Sequence, residues 1–375
     1  MHVVHACHRY HPVPGGSERI AQVLAEGAVR RGHRATVITQ AEPGVPPREE
    51  IGGVEVVRLR MRPHAGIRFP IGYHAALRAT GADLFHLHGN RIWCADFYLP
   101  MAGLYDWPQV GTGHGFYQYA NHPRPWDRWY FERYFPRVLR GLDMYACDTE
   151  FERRQLLGWG FPESRLARLP LGVPQAEFAA AEPGGATATR FAWGLTAPHV
   201  AVYAGGFFEN KRVDRLIDAV AATRGAWALV AIGRDIPGSP YDAAACADRA
   251  RKAGIEYVAP GALPRADVVR SILAADAVVL GSSYEGFGVT LAEAIAAGKP
   301  FVSFPVGAAP EMAATGAGEV VNDVPSFGEA LLRLSDPSER ARRAERARAV
   351  AADWSDEAML DRYLALYERL ATPRR

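Results

Sequence analysis

Two periods of apolar and polar positions alternate along this chain. Short apolar runs that read as strands fall at 2–7, 34–39, 54–59, 83–87, 109–112, 143–147 and 166–169. Helical spacing marks 17–31, opened by Ser17 and ended near Gly32, and 126–140, with apolar Trp126, Trp129, Tyr130 and Val138. Between about 170 and 198 the pattern lapses into Pro, Gly, Ala and Thr, which predicts a linker. A second series follows, with strands at 199–204, 227–232, 255–258 and 276–282 and helices at 213–223, 241–253, 265–274 and 289–297. The stretches 326–351 and 356–370 are helical, and Trp354, Met359, Leu360, Tyr363, Leu364, Tyr367 and Leu370 form a stripe that must pack on something. Strands that alternate with helices predict an α/β protein of two doubly wound, Rossmann-like halves, with ligands at the carboxyl ends of the strands.

A chain of 375 residues suits two domains, and its 49% hydrophobic and 22% charged content is that of a soluble globular protein. A net charge of +2 gives no reason to expect a nucleic-acid partner. Cys7, Cys94, Cys147 and Cys246 lie far apart and predict reduced thiols. The N-terminus lacks a basic region followed by an apolar one, so a cytoplasmic location is expected. Of 43 basic residues only Lys211, Lys252 and Lys299 are lysines, which draws attention to Lys211.

The richest segment is 281–300. Glu285 sits on the turn between an apolar strand and a short helix, and Glu293 follows on the second helical turn with seven residues between them. Gly286 and Gly288 remove Cβ atoms around Phe287, so the helix start near Val289 can approach an anion. An anion cradle, a carboxylate beside it and a second one able to grip a diol are what a nucleoside diphosphate sugar needs. This segment resembles the Glu-x7-Glu signature of retaining glycosyltransferases, and in its wording, Tyr-Glu-Gly-Phe-Gly then Leu-Ala-Glu-Ala, it resembles family 4.

That resemblance implies the GT-B fold: an acceptor-side domain over 1–175, completed by a C-terminal helix at 354–375 that crosses back to it, and a nucleotide-sugar domain over 176–353. It implies a hexosyl transfer from a nucleoside diphosphate sugar to a hydroxyl of a small-molecule, glycan or lipid-linked acceptor, with uridine slightly favoured over guanosine donors. The alternatives are an epimerase or phosphorylase of the same plan, or a non-catalytic sugar-nucleotide binder. No cofactor is expected. No Asp-x-Asp triplet is present to hold a divalent metal.

Further motifs extend the resemblance. In 203–218 a loop delivers Lys211 and Arg212 toward the expected pyrophosphate, but Gly205-Gly206-Phe207 stands where the family has Gly-Arg-Leu, so Arg212 or another cation must substitute. Gly15 and Gly16 open a helix directly after the first strand and belong, by resemblance, to the acceptor side. Gly111-Thr112-Gly113-His114-Gly115 resembles the family's Thr-x-His, whose histidine contacts the donor sugar; Phe116 spoils a dinucleotide fingerprint. The resemblance thus makes Lys211, Glu285 and His114 the catalytic candidates. Evenly spaced His5, His8 and His11 are weak metal candidates, and His86 with His88 are cleft or core residues. The loop 305–311 lies near the donor in relatives, and 170–174 has lost the family's polar side chains. The aromatic, arginine-rich stretch 116–137 fits core packing, an acceptor wall or an interfacial membrane patch, so peripheral membrane contact is a further expectation.

Overall fold

The strand signals of the first half converge on one sheet. The computed structural model describes residues 1–13, 15–64, 67–90, 92–116, 125–181 and 184–372, and residues 117–124 of the aromatic stretch lie outside them. The chain divides into two units: 1–170 with 359–375, and 171–358.

In the first unit, β1 (His2–Ala6), β2 (Arg34–Gln40), β3 (Arg48–Ile51), β4 (Val54–Leu59), β7 (Leu84–His88), β8 (Gln109–Thr112), β9 (Met144–Cys147) and β10 (Leu166–Arg168) make an eight-stranded sheet in the order β10-β9-β8-β7-β1-β2-β4-β3. β3 runs antiparallel to β4 at the edge. A separate hairpin pairs β5 (Met61–His64) with β6 (Ile67–Pro70). Val4, Ala6, Phe85, Leu87, Phe131 and Phe135 belong to its core. The second unit holds β11 (His199–Ala204), β12 (Trp227–Ile232), β13 (Tyr257–Gly261), β14 (Ala277–Leu280), β15 (Phe301–Ser303) and β16 (Gly318–Val320), all parallel, in the order β13-β12-β11-β14-β15-β16. Each sheet changes direction once, between β1 and β7 and between β11 and β14, and such switch points open a crevice at the carboxyl ends of the strands.

Three expectations are corrected. The segment 170–198 is not a bare linker: it contains helices Gln175–Ala179 and Gly185–Ala192. Arg190 binds Asp276 at 2.7 Å, a contact between residues far apart in sequence that no local pattern announces. The stretch 126–140 is one helical run but with a π-helical turn at Tyr130–Tyr134, which shifts its face. Tyr130, Phe131 and Phe135 are buried, whereas Trp126 and Trp129 are 62% and 47% exposed. The stretch 326–351, expected to be helical without a break being assigned, divides into two helices, Val324–Arg333 and Pro337–Val350, because Asp336 caps the second and Pro337 starts it. The apolar stripe near the C-terminus does find a partner. Helix Asp356–Ala371 buries Met359, Leu360, Tyr363, Leu364, Leu366 and Tyr367, with Leu360 lying where Gly27 leaves no side chain.

Among the described residues, no helix is long and apolar enough to cross a membrane.

Candidate active site

At the switch point of the second sheet, the loops after β11 and β14 meet. The Phe208–Lys211 turn (Lys211 N–H to Phe208 carbonyl, 2.9 Å) and the backbone bond from Ser283 N–H to the Asn210 carbonyl (2.8 Å) hold them together. Lys211 Nζ then donates to both oxygens of Glu285, at 2.7 and 2.9 Å, and Ser282 Oγ donates to Glu285 Oε1 at 2.6 Å. The pair is partly covered, with side chains 22% and 11% exposed, so its field is less screened than that of a surface pair.

Arg212 is turned elsewhere. It adopts a left-handed backbone (φ 49°) and binds Asp214 bidentately at 2.9 and 2.8 Å. Another cation stands beside the glycine loop. Arg234, exposed, lies over the Phe208 ring at 5.5 Å, and its carbonyl accepts the Phe207 N–H at 2.9 Å. A Cβ on Gly206 would meet that same Phe208 ring at 2.2 Å, so this loop tolerates no larger residue as it stands. Sequence reasoning missed Arg234, although Gly-Arg-Asp directly after a buried strand marks a cation at the ligand-binding end of a sheet.

The turn after Glu285 has the form expected. Gly288 is left-handed (φ 95°) and starts helix Val289–Ala296, whose Thr290 hydroxyl donates to the Ala204 carbonyl at the end of β11 (2.7 Å). That bond brings the helix start to the crevice between β11 and β14. Phe287 is buried near Trp354, and its carbonyl accepts the Ala308 N–H at 2.8 Å, so the 305–308 loop packs directly against this turn. Gly286 is half-buried and Val289 exposed. Glu293 is buried and ion-paired with Arg265, which also donates to Glu177 at 2.6 Å and lies over Phe178. Arg265 was missed too. Its signal was an arginine at the first position of a helix, where the helix dipole disfavours a cation unless an anion faces it.

In the first unit, helix Gly16–Arg30 begins at the predicted glycines. A Cβ on Gly15 would meet the Glu18 carboxylate at 2.1 Å, while one on Gly16 would meet nothing. The chain's own carboxylate thus lies at this helix start. His114 is left-handed (φ 56°), with Nδ1 3.2 Å from Asp148 Oδ2 and Nε2 3.3 Å from His88 Nδ1. A Cβ on Gly113 would strike Tyr145, Asn90 and Glu152, which explains that glycine by close approach. The His5, His8, His11 spacing is not the grouping found; His5 instead meets His86 and His88. All four cysteines are free and buried.

Under the Gly113–Gly115 turn, burial and the nearby Asp148 raise the Glu152 carboxyl from 4.5 to about 8, against the bonds it accepts from backbone N–H groups. The folded state therefore keeps a proton that the unfolded chain has released across that window, and stability falls as pH rises through it. Glu152→Gln should flatten this slope, leaving the variant more stable than wild type at pH 8 by on the order of a few kcal/mol relative to pH 5. Urea unfolding at a series of pH values checks this, and parallel profiles would refute it.

Two family models match the chain: Glycosyltransferase Family 4 over residues 14–177 and Glycosyl transferases group 1 over 187–350. The chain belongs to the family 4 type of glycosyltransferases. Relatives of this glycosyltransferase include a glycogen synthase of Mycobacterium tuberculosis, 27% identical over 93% of this chain and 89% of the relative. A D-inositol 3-phosphate glycosyltransferase of Kineococcus radiotolerans is 29% identical over 93% and 90%. Among solved structures, sucrose-phosphate synthase from Thermosynechococcus elongatus superposes with a TM-score of 0.78 at 19% identity, covering 98% of both chains. HepE of Anabaena in complex with UDP gives 0.78 at 18% identity, covering 99% and 100%. The glycosyltransferase therefore has the GT-B fold.

Proposed function

We propose that this glycosyltransferase moves a hexosyl unit from a nucleoside diphosphate sugar to an acceptor hydroxyl with retention of anomeric configuration, and that it needs no divalent metal. The observation that carries the reading is the Lys211–Glu285 pair at the switch point of the second sheet, beside a glycine-opened helix start. As the bond from the anomeric carbon to the phosphate oxygen breaks, charge grows on the diphosphate, and Lys211, Arg234 and the helix start offset it. The acceptor oxygen bonds the anomeric carbon on the same face, and its proton passes to the departing phosphate. Glu285 orients sugar hydroxyls and holds Lys211 in place. Glu293 grips the ribose diol.

Solved relatives bound to UDP and UDP-glucose support a uridine donor over a guanosine one. The exposed Trp126 and Trp129, stacked at 4.8 Å beside exposed Arg128 and Arg133, support a lipid-linked acceptor met at a membrane surface.

Nucleotide release across a panel of uridine and guanosine diphosphate sugars, followed by NMR of the product, is the test. A retained linkage formed equally well with chelator present is expected. An inverted linkage would reject the mechanism, and activity lost to chelator and restored by magnesium or manganese would reject metal independence.

A further inference from the structure

Four polar side chains from four strand ends form one line through the first unit. His5 Nδ1 lies 3.0 Å from His88 Nε2, His88 Nδ1 lies 3.3 Å from His114 Nε2, and His114 Nδ1 lies 3.2 Å from Asp148 Oδ2. His5 and Asp148 are fully buried and His88 is 1% exposed. The His88 and His114 rings are parallel within 8°.

The metal reading of the neighbouring group, His5 with His86 and His88, fails on its nitrogens. Their ligand atoms lie within 4.8 Å of one another. Yet His86 gives one nitrogen to Tyr367 Oη (2.6 Å) and the other to Thr112 Oγ1 (2.8 Å), and both nitrogens of His88 are in the line. Only His5 Nε2 is left, a buried atom with no partner among the described residues.

That leftover atom gives the line its direction. Burial pushes His5 down to about 3 and His88 well below the usual histidine range, so each carries one ring proton. A carboxylate only accepts, so His114 Nδ1–H donates to Asp148. With a neutral His114 ring, Nε2 accepts from His88 Nδ1–H, and His88 Nε2 from His5 Nδ1–H, leaving a bare lone pair on His5 Nε2. The reverse direction would bury an unpaired N–H there, which is rarer than an unpaired acceptor.

We propose that Asp148, His88 and His5 are positioning residues that fix His114 as the Nδ1–H tautomer and pin it at both nitrogens in its left-handed turn. Resting on the glycosyltransferase reading above, this has His114 serve transfer through a rigid ring and turn, and not as a proton donor or acceptor to substrate.

The test has two arms, both on the full chain. Nitrogen NMR of protein labelled at histidine should show the Nδ1–H tautomer at His114, His88 and His5; an Nε2–H tautomer or an imidazolium at His114 overturns the proposal. In the second arm His88 is replaced by each of two amides. Glutamine reaches the place of Nε2 and loses the donor to His114; asparagine keeps a donor near Nδ1. His88→Gln should lower kcat by about 10- to 100-fold with KM for the sugar nucleotide unchanged, the scale set by lost orienting partners, and His88→Asn should recover most of that rate. Equal losses in two folded variants, checked by thermal melting, would reduce the line to ordinary core packing. Zinc alone perturbing the His5 and His86 signals would favour a metal site instead. A wild type that turns over no sugar nucleotide would refute the glycosyltransferase reading, and the NMR arm would still decide the tautomer.

Discussion

Lys211→Ala is expected to lower the rate of transfer by about a hundred- to thousandfold, the cost of deleting one preorganised electrostatic group that acts on developing charge. The structure sharpens this expectation. Lys211 is held by both Glu285 oxygens and by the turn from Phe208, so its ammonium is fixed before substrate arrives. Fixed charge needs no reorganisation when the bond breaks, and that is the source of the large effect. Affinity for the intact sugar nucleotide should change less than the rate, because the extra negative charge is absent until the bond breaks. Single-turnover kinetics measure the chemical step directly. A variant of normal rate would move the role to Arg234, since Arg212 is engaged by Asp214.

Glu293→Ala should weaken binding of the nucleoside diphosphate by about 2–3 kcal/mol, or about 30- to 150-fold in Kd, as hydrogen bonds from two hydroxyls to one carboxylate are lost. Glu293 faces Arg265, which is itself anchored by Glu177 and Phe178. The carboxylate is therefore steered from behind, and Arg265 keeps Glu177 as its counter-ion in the variant. Calorimetric titration gives the comparison, and an unchanged Kd would remove the assignment.

Much of this was legible because the relevant signals are local. The apolar runs that became β1, β2, β4, β7, β8, β11, β12 and β14 are dense enough to be buried whatever surrounds them. The Gly-Phe-Gly turn announced a strand-to-helix junction whose left-handed Gly288 the structure contains. What stayed hidden depends on distant partners. β15 and β16 have three residues each and carry too little pattern to stand out. β3 is a polar edge strand, and β5 and β6, four residues each, pair with each other outside the main sheets. The helices within 170–198 are only five and eight residues long, the second carries Gly and two Thr, and a tertiary anchor such as Arg190 to Asp276 offsets those weak formers. The same holds at the site. Lys211 and Glu285 were visible singly, but their pairing, the diversion of Arg212 to Asp214 and the histidine line all join residues far apart in sequence.

The final helix also dictates an order of assembly. Tyr367 and Tyr363 bring their hydroxyls to His86 and Thr112 in the middle of the first sheet, and both come from a segment made after the whole of the second unit. On the ribosome, residues 1–170 emerge with a seam of the first unit still unfilled, while 171–358 are contiguous and can close on their own. The first unit to be synthesised is thus the last to be completed, and a nascent chain arrested near residue 358 would present an open first unit to chaperones and proteases.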